Sequence, residues 1–335
     1  MKALFICAKY KVRLVQESVQ YLSSNVEPRL FQPVGDTWDQ LSTSILNEVE
    51  LVKPDVVWTD HAYFAGAMPR TVPYVLTLRG DWWTEYSVLP PDALTFFMKT
   101  PEYAAHTVGF LYAKRILPLS AGLMKRVKQH YPNLQCTVIP QGIDSQRWQP
   151  KPRRGILKHP SIAIIQNHAI RPKADGLLAF APVIYALPEF HFYVSEGQSS
   201  LQPQTYLPRF KDAVNGLGNV TFMDVQTPEA VNELLTETDL YALPSGLDWC
   251  PTTALEAGLM QRITVASRIE GITDIIQEDV NGYTARNGNV QEWVDCIRKA
   301  QQQKDDGASA RKYIVERFDW RVVTPQLERV FREVT

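Results

Sequence analysis

The sequence predicts an α/β protein of two successive domains, each a parallel sheet covered by helices on both faces. Three observations carry this. Short apolar runs such as ALFICA (3–8) and SIAIIQ (161–166) lack polar–apolar alternation, as strands buried on both faces do. Helical stretches separate the runs, which implies crossover connections between parallel strands. The pattern stops at QPKPRRGILKHP (149–160), rich in proline, lysine and arginine, and then restarts. A chain of 335 residues accommodates two domains. The expected division is 1–149, 150–317, and a terminal helical segment 318–335.

In the first half, residues 3–8 form the first strand and residues 12–24 a helix. Further strands are expected at 55–58, 74–78, 116–119 and 137–139. The first strand–helix turn, CAKYKVR, contains no glycine, whereas a nicotinamide or flavin domain needs G-x-G-x-x-G there. Gly216 and Gly218 precede a strand and do not supply that motif. In the second half, strands are expected at 161–166, 240–243 and 263–266, with closing helices at 305–317 and 325–334.

Composition narrows the function. Lys and Arg number 35 against 36 Asp and Glu, so the basic excess of a nucleic-acid-binding protein is missing. Cys7, Cys136, Cys250 and Cys296 stand far apart without a C-x-x-C, which points to free thiols in a reducing, cytoplasmic compartment. No apolar stretch approaches the ~18 residues of a membrane span. The start, MKALFICAKYKVRL, reads as a strand and not as a signal peptide. Neither a D-x-D triplet nor H-E-x-x-H occurs, so no essential metal and no cofactor are expected. A serine hydrolase would need a G-x-S-x-G elbow, which is absent.

The most informative stretch is LPSGLDWCPTTALE (243–256), a loop between a buried strand and a helix from about residue 253. In such βαβ units ligands gather at strand carboxyl ends and helix N-termini. Asp248 and Glu256 bracket the loop with seven residues between them. Each has a plainer reading. Asp248 suits a turn. Thr252 and Thr253 favour a helix start, and T-A-L-E fits a capping box with Glu256 as its acid.

The Asp248–seven–Glu256 spacing resembles the glutamate–seven–glutamate motif of retaining GT-B glycosyltransferases, family 4. The resemblance implies two Rossmann-like domains facing each other across a cleft. It also implies transfer of a sugar from a UDP- or GDP-linked donor to a glycan, lipid or small-molecule acceptor. Asp248 then contacts the donor sugar and Glu256 the ribose hydroxyls. Trp249, Cys250, Pro251, Thr252 and Thr253 line the sugar and diphosphate. Asp248 stands where glutamate is usual, and its carboxylate reaches about 1.5 Å less far.

NHAIRPKADGLL (167–178) resembles the family's G-R-L-x-x-x-K-G segment. Lys173 matches the lysine, His168 stands at the arginine position, and Arg171 is a substitute cation. Cations there stabilise the charge that grows on the leaving diphosphate. PYVLTLRGDWW (73–83) resembles the loop that carries a histidine near the donor sugar. Arg79 stands at that position, and a surface ion pair with Asp81 is its plainer reading. Residues 92–117 combine aromatic and basic side chains. They read as a core-packed helical pair with a solvated basic face, in preference to a peripheral membrane surface. Two other functions share the fold: a sugar-nucleotide epimerase, and a nucleotide-sugar-binding protein without turnover.

Overall fold

The computed structural model describes residues 1–80, 98, 100–197, 206–303 and 307–335. Two compact units appear, Met1–Gly142 with Trp320–Thr335, and Ile143–Asp319.

In the first unit the described residues form a five-stranded parallel sheet of order β2-β1-β3-β4-β5. Its strands are β1 (Lys2–Ile6), β2 (Glu27–Phe31), β3 (Val56–Thr59), β4 (Tyr74–Leu78) and β5 (Arg115–Pro118). The apolar runs make β1, β3 and β4 almost wholly buried. Strand β2 was not legible in the sequence. It lies at the sheet edge, EPRLF has no apolar run, and an edge tolerates Pro28, which cannot donate to a ladder. Residues 137–139 were expected as a strand and form none. Ile116 and Cys136 make an isolated bridge, and the Thr137 and Ile139 amides donate to the Ile116 and Pro118 carbonyls. Pro118 has no N–H to return, so the ladder stops.

The helix Trp320–Val334 packs into this first core through Trp320, Val323, Leu327, Val330 and Phe331. Phe331 meets Phe5 edge-on at 5.9 Å. Glu328 accepts the Ser23 amide at 2.6 Å and its hydroxyl at 2.8 Å. This helix starts five residues before the expected 325, with Pro325 inside it. Residues 81–97 and 99 lie outside the described residues, and with them Asp81 and part of the aromatic stretch 92–117. The described part of that stretch is the helix Pro101–Leu111, whose Phe110 is fully buried, followed by β5. No described helix is long and apolar enough to cross a membrane.

In the second unit the described residues form a six-stranded parallel sheet of order β11-β10-β9-β6-β7-β8. These are β6 (Ser161–Ile164), β7 (His191–Ser195), β8 (Val220–Met223), β9 (Leu240–Leu243), β10 (Ile263–Ser267) and β11 (Gly282–Ala285). From β6 the chain winds outward through β7 to β8. It then returns to β9 on the other side of β6 and winds outward again to β11. The carboxyl ends of β6 and β9 therefore flank a topological switch point, where doubly wound sheets open a crevice.

The units divide between residues 142 and 143, seven residues before the expected boundary. Side chains of the second unit hold the proline- and arginine-rich stretch. The carboxylate of Glu237, 2% exposed, accepts the amides of Arg154 at 2.8 Å and Gly155 at 3.0 Å. Arg153 pairs with Asp239, and Arg311 donates to the Ser145 and Trp148 carbonyls.

Candidate active site

The switch point gathers two loops. After β6 come Gln166, Asn167 and His168, leading into the helix Arg171–Ala186. After β9 comes the loop 244–251, leading into the helix Thr252–Leu259. Strands β6 and β9 pair directly, with Ile162 opposite Leu240 and Ile164 opposite Ala242, so the two loops leave the sheet side by side.

Glycine makes their contact close. A Cβ on Gly176 would stand 2.4 Å from the Gly246 nitrogen, and one on Gly246 would stand 2.2 Å from the Pro172 carbonyl oxygen. The Gly246 amide donates to that same carbonyl at 3.1 Å, tying the loop to the first turn of the helix. Lys173 Nζ then lies 2.7 Å from Asp248 Oδ2, with side chains 21% and 13% exposed. Asp248 Oδ1 accepts the Trp249 amide at 3.1 Å, a local turn bond. Gln166 Nε2 donates to the Lys173 carbonyl at 3.2 Å and braces the lysine from below.

Tyr241 on β9 ties the crevice floor together. Its hydroxyl donates to the Ile165 carbonyl at 2.9 Å and accepts from the Thr253 hydroxyl at 2.7 Å. Burial raises its pKa, and the Asp248 and Glu256 carboxylates push the same way, so it stays a neutral phenol. Both carboxylates thus act on one buried point.

The capping reading of Glu256 does not hold. The cap residue of the helix is Pro251, which makes no side-chain cap bond, and Thr253 sits inside the first turn. Trp249, Cys250 and Pro251 are buried, Thr252 is exposed, and Thr253 and Glu256 are half-buried. The structure brings Lys173, Asp248 and the start of the helix Thr252–Leu259 together at the switch point.

It does not bring the two other expected cations there. His168 is fully buried, with Nε2 2.7 Å from the Ser195 carbonyl, so Nε2 carries the proton and donates. Burial, the largest influence, lowers its pKa and keeps the ring neutral. The Arg171 side chain is 58% exposed and pairs with Asp175 at 3.4 Å, one helical turn on. Arg79 belongs to the first unit, at the carboxyl end of β4. Its Nε donates to Asp60 at 2.7 Å, and its Nη1 donates to Gln141. The expected alternative partner Asp81 is outside the described residues.

Sequence reasoning missed Gln166 and Tyr241. Tyr241 sits in an apolar run and carried only a core signal. Gln166 ends an apolar run with a polar side chain, a signal that was available.

The neutral state of His168 belongs to a wider pattern with a pH consequence. Burial also lowers His61 and His191 and takes His106 down to about 4. The unfolded chain takes up protons below about pH 6.5 where these folded histidines do not. Their stabilisation is complete above that pH and is lost as pH falls below it, down to about 4 for His106. Each histidine contributes at most about 1.4 kcal/mol per pH unit. The urea midpoint at pH 5.5 is expected to lie below that at pH 7.5. An equal or higher midpoint at pH 5.5 contradicts this assignment.

Comparison with known proteins adds an independent line. Residues 174–303 match the family described as "Glycosyl transferases group 1". Residues 174–303 of this chain are thus similar to group 1 glycosyl transferases. The match includes Asp248 through Glu256 and begins one residue after Lys173. Among curated relatives, the glycosyl transferase of Saccharomonospora viridis named D-inositol 3-phosphate glycosyltransferase is 26% identical over 235 residues, 64% of this chain. The chain spans about half that relative's length, 54%. A protein of the same name from Corynebacterium urealyticum is 25% identical over 118 residues, 34% of this chain and 28% of its own length.

Solved structures agree on the fold. Sucrose-phosphate synthase from Thermosynechococcus elongatus superposes with a TM-score of 0.77 at 11% identity, over 99% of both chains. Anabaena Alr3699/HepE, solved with UDP and glucose, gives 0.74 at 16% identity, again over 99% of both chains. At such identities the likeness concerns architecture alone. The two parallel α/β units are those of the GT-B fold, as expected.

Proposed function

We propose that this protein is a glycosyltransferase that moves a hexosyl group from a nucleotide diphosphate sugar to an acceptor hydroxyl, with retention of configuration and without a metal. The observation that carries the reading is the Lys173–Asp248 pair at the switch point of the unit that contains the stretch similar to group 1 glycosyl transferases. A cation beside the start of a helix suits a diphosphate leaving group, and an adjacent carboxylate suits sugar hydroxyls. Lys173 supplies positive charge to that leaving group, a task that a metal performs elsewhere, and insensitivity of transfer to EDTA tests this. Retention rests on the resemblance of the Asp248–seven–Glu256 motif to that of the retaining family 4 enzymes. UDP is the first donor base to test, since Alr3699/HepE was solved with UDP and with UDP-glucose. A phosphorylated polyol is the first acceptor to test, from the names of the curated relatives. Four free cysteines support a reducing, cytoplasmic setting.

A thermal-shift screen against UDP- and GDP-sugars tests donor binding. A ligand at ~100 times its dissociation constant stabilises by about 2.7 kcal/mol, a readily visible shift. Glu256→Ala is expected to weaken nucleotide binding. A carboxylate accepting ribose hydroxyls contributes about 1.5–3 kcal/mol, so affinity for UDP-glucose should fall roughly ten- to a hundredfold by calorimetry. Unchanged affinity would remove Glu256 from the nucleotide site.

A further inference from the structure

We infer that Asp248 is a specificity determinant that favours the intact nucleotide sugar over the nucleoside diphosphate left after transfer. The inference rests on the transferase reading above.

Lys173 is already engaged in the free protein, 2.7 Å from Asp248 Oδ2. The backbones carrying the pair are fixed. Gln166 holds the Lys173 carbonyl, and the Gly246–Pro172 bond holds the loop. Asp248 Oδ1 is occupied by the Trp249 amide. Only the ends of the two side chains are left to change partners.

A diphosphate that takes Lys173 removes the cation from Oδ2 and sets a second negative charge beside it. A carboxylate 13% exposed is poorly hydrated, so the cost of the exchange lies in the second negative charge set beside it more than in the lost pair itself. An intact donor answers this cost, because its sugar hydroxyls donate to Oδ2 as the lysine leaves. The diphosphate alone brings no such donors. The two loops of the crevice also carry two buried groups that a polyhydroxyl ligand could pair with. Gln166 Oε1 is an acceptor, and Trp249 Nε1 a donor, with no hydrogen-bond partner among the described residues. After transfer the Lys173–Asp248 pair re-forms and displaces the product. Simple charge attraction predicts the opposite order, since the free diphosphate is more negative than its sugar ester.

The test is calorimetric titration of the whole chain with UDP, UDP-glucose, GDP and GDP-mannose, parent against Asp248→Asn. In the parent, the sugar nucleotide of the accepted base should bind about tenfold or more tighter than its diphosphate. In Asp248→Asn, the diphosphate should bind about tenfold tighter than it does to the parent, and discrimination should collapse. Unchanged or weaker diphosphate binding by a folded Asp248→Asn overturns the inference while leaving the transferase reading intact. Should the variant not fold, the parent still decides, because diphosphate binding equal to or tighter than the sugar nucleotide overturns it. A parent that binds none of the four ligands overturns the transferase reading and this inference together.

Discussion

Replacing Lys173 by alanine is expected to slow sugar transfer by about 100-fold or more, with little loss of folding stability. Lys173 Nζ is the cation that the structure places at the switch point with Asp248. The charge it meets in the proposed reaction grows as the glycosidic bond breaks. A contact that strengthens in the transition state lowers the rate constant when removed. Stability should change far less, because both side chains are partly exposed and such pairs contribute modestly. Asp248 also keeps its bond to the Trp249 amide. Initial rates at saturating donor, with melting curves for both proteins, check the split. Transfer within twofold of the parent would remove Lys173 from the chemistry. Equal losses in rate and melting temperature would make it a structural residue.

Gly271→Ala is expected to destabilise the protein by about 2–5 kcal/mol and to weaken donor binding as well. Gly271 has φ +88°, in the left-handed region. A Cβ there would stand 2.4 Å from the Asp248 carbonyl oxygen and 2.5 Å from Trp249 Cα. Both are backbone atoms of the site loop, so relief of the clash that displaces this loop would disturb the Asp248 contact to Lys173. Gly288 gives the comparison. Its φ is +79°, and a Cβ there meets nothing within 4 Å. Gly288→Ala therefore reports backbone strain alone, about 1–3 kcal/mol, without an effect on donor binding. Urea unfolding and UDP-glucose titration of both variants measure the difference. Equal losses in the two variants would show that the Gly271 contact does not shape the site.

The limits of the sequence show at particular residues. Apolar runs placed β4 and β9 at their observed bounds and β1 within two residues, because a strand covered on both faces must be apolar throughout. The same rule left β2 invisible, since an edge strand with Pro28 and solvent-facing charge follows no such pattern. Thr253 and Glu256 carried two meanings in the sequence. The structure removed one, because Pro251 is the cap residue of the helix and leaves Thr253 inside it. His168 and Arg171 looked alike in sequence as nearby cations. Their fates depend on which way the chain turns after β6, one ring into the core and one guanidinium out to Asp175.

By itself the sequence determined the two α/β domains, the loop after β9 and the candidates Lys173, Asp248 and Glu256. The domains and the loop are written in short-range patterns of burial and turn chemistry, and the three candidates in the resemblance of local motifs to family 4. Only the tertiary structure decided that Lys173 meets Asp248, 75 residues away. That contact exists because β9 returns to pair with β6, and the order of strands in a sheet is a long-range outcome. Two glycines, Gly176 and Gly246, then let the loops approach closely enough for the side chains to bond.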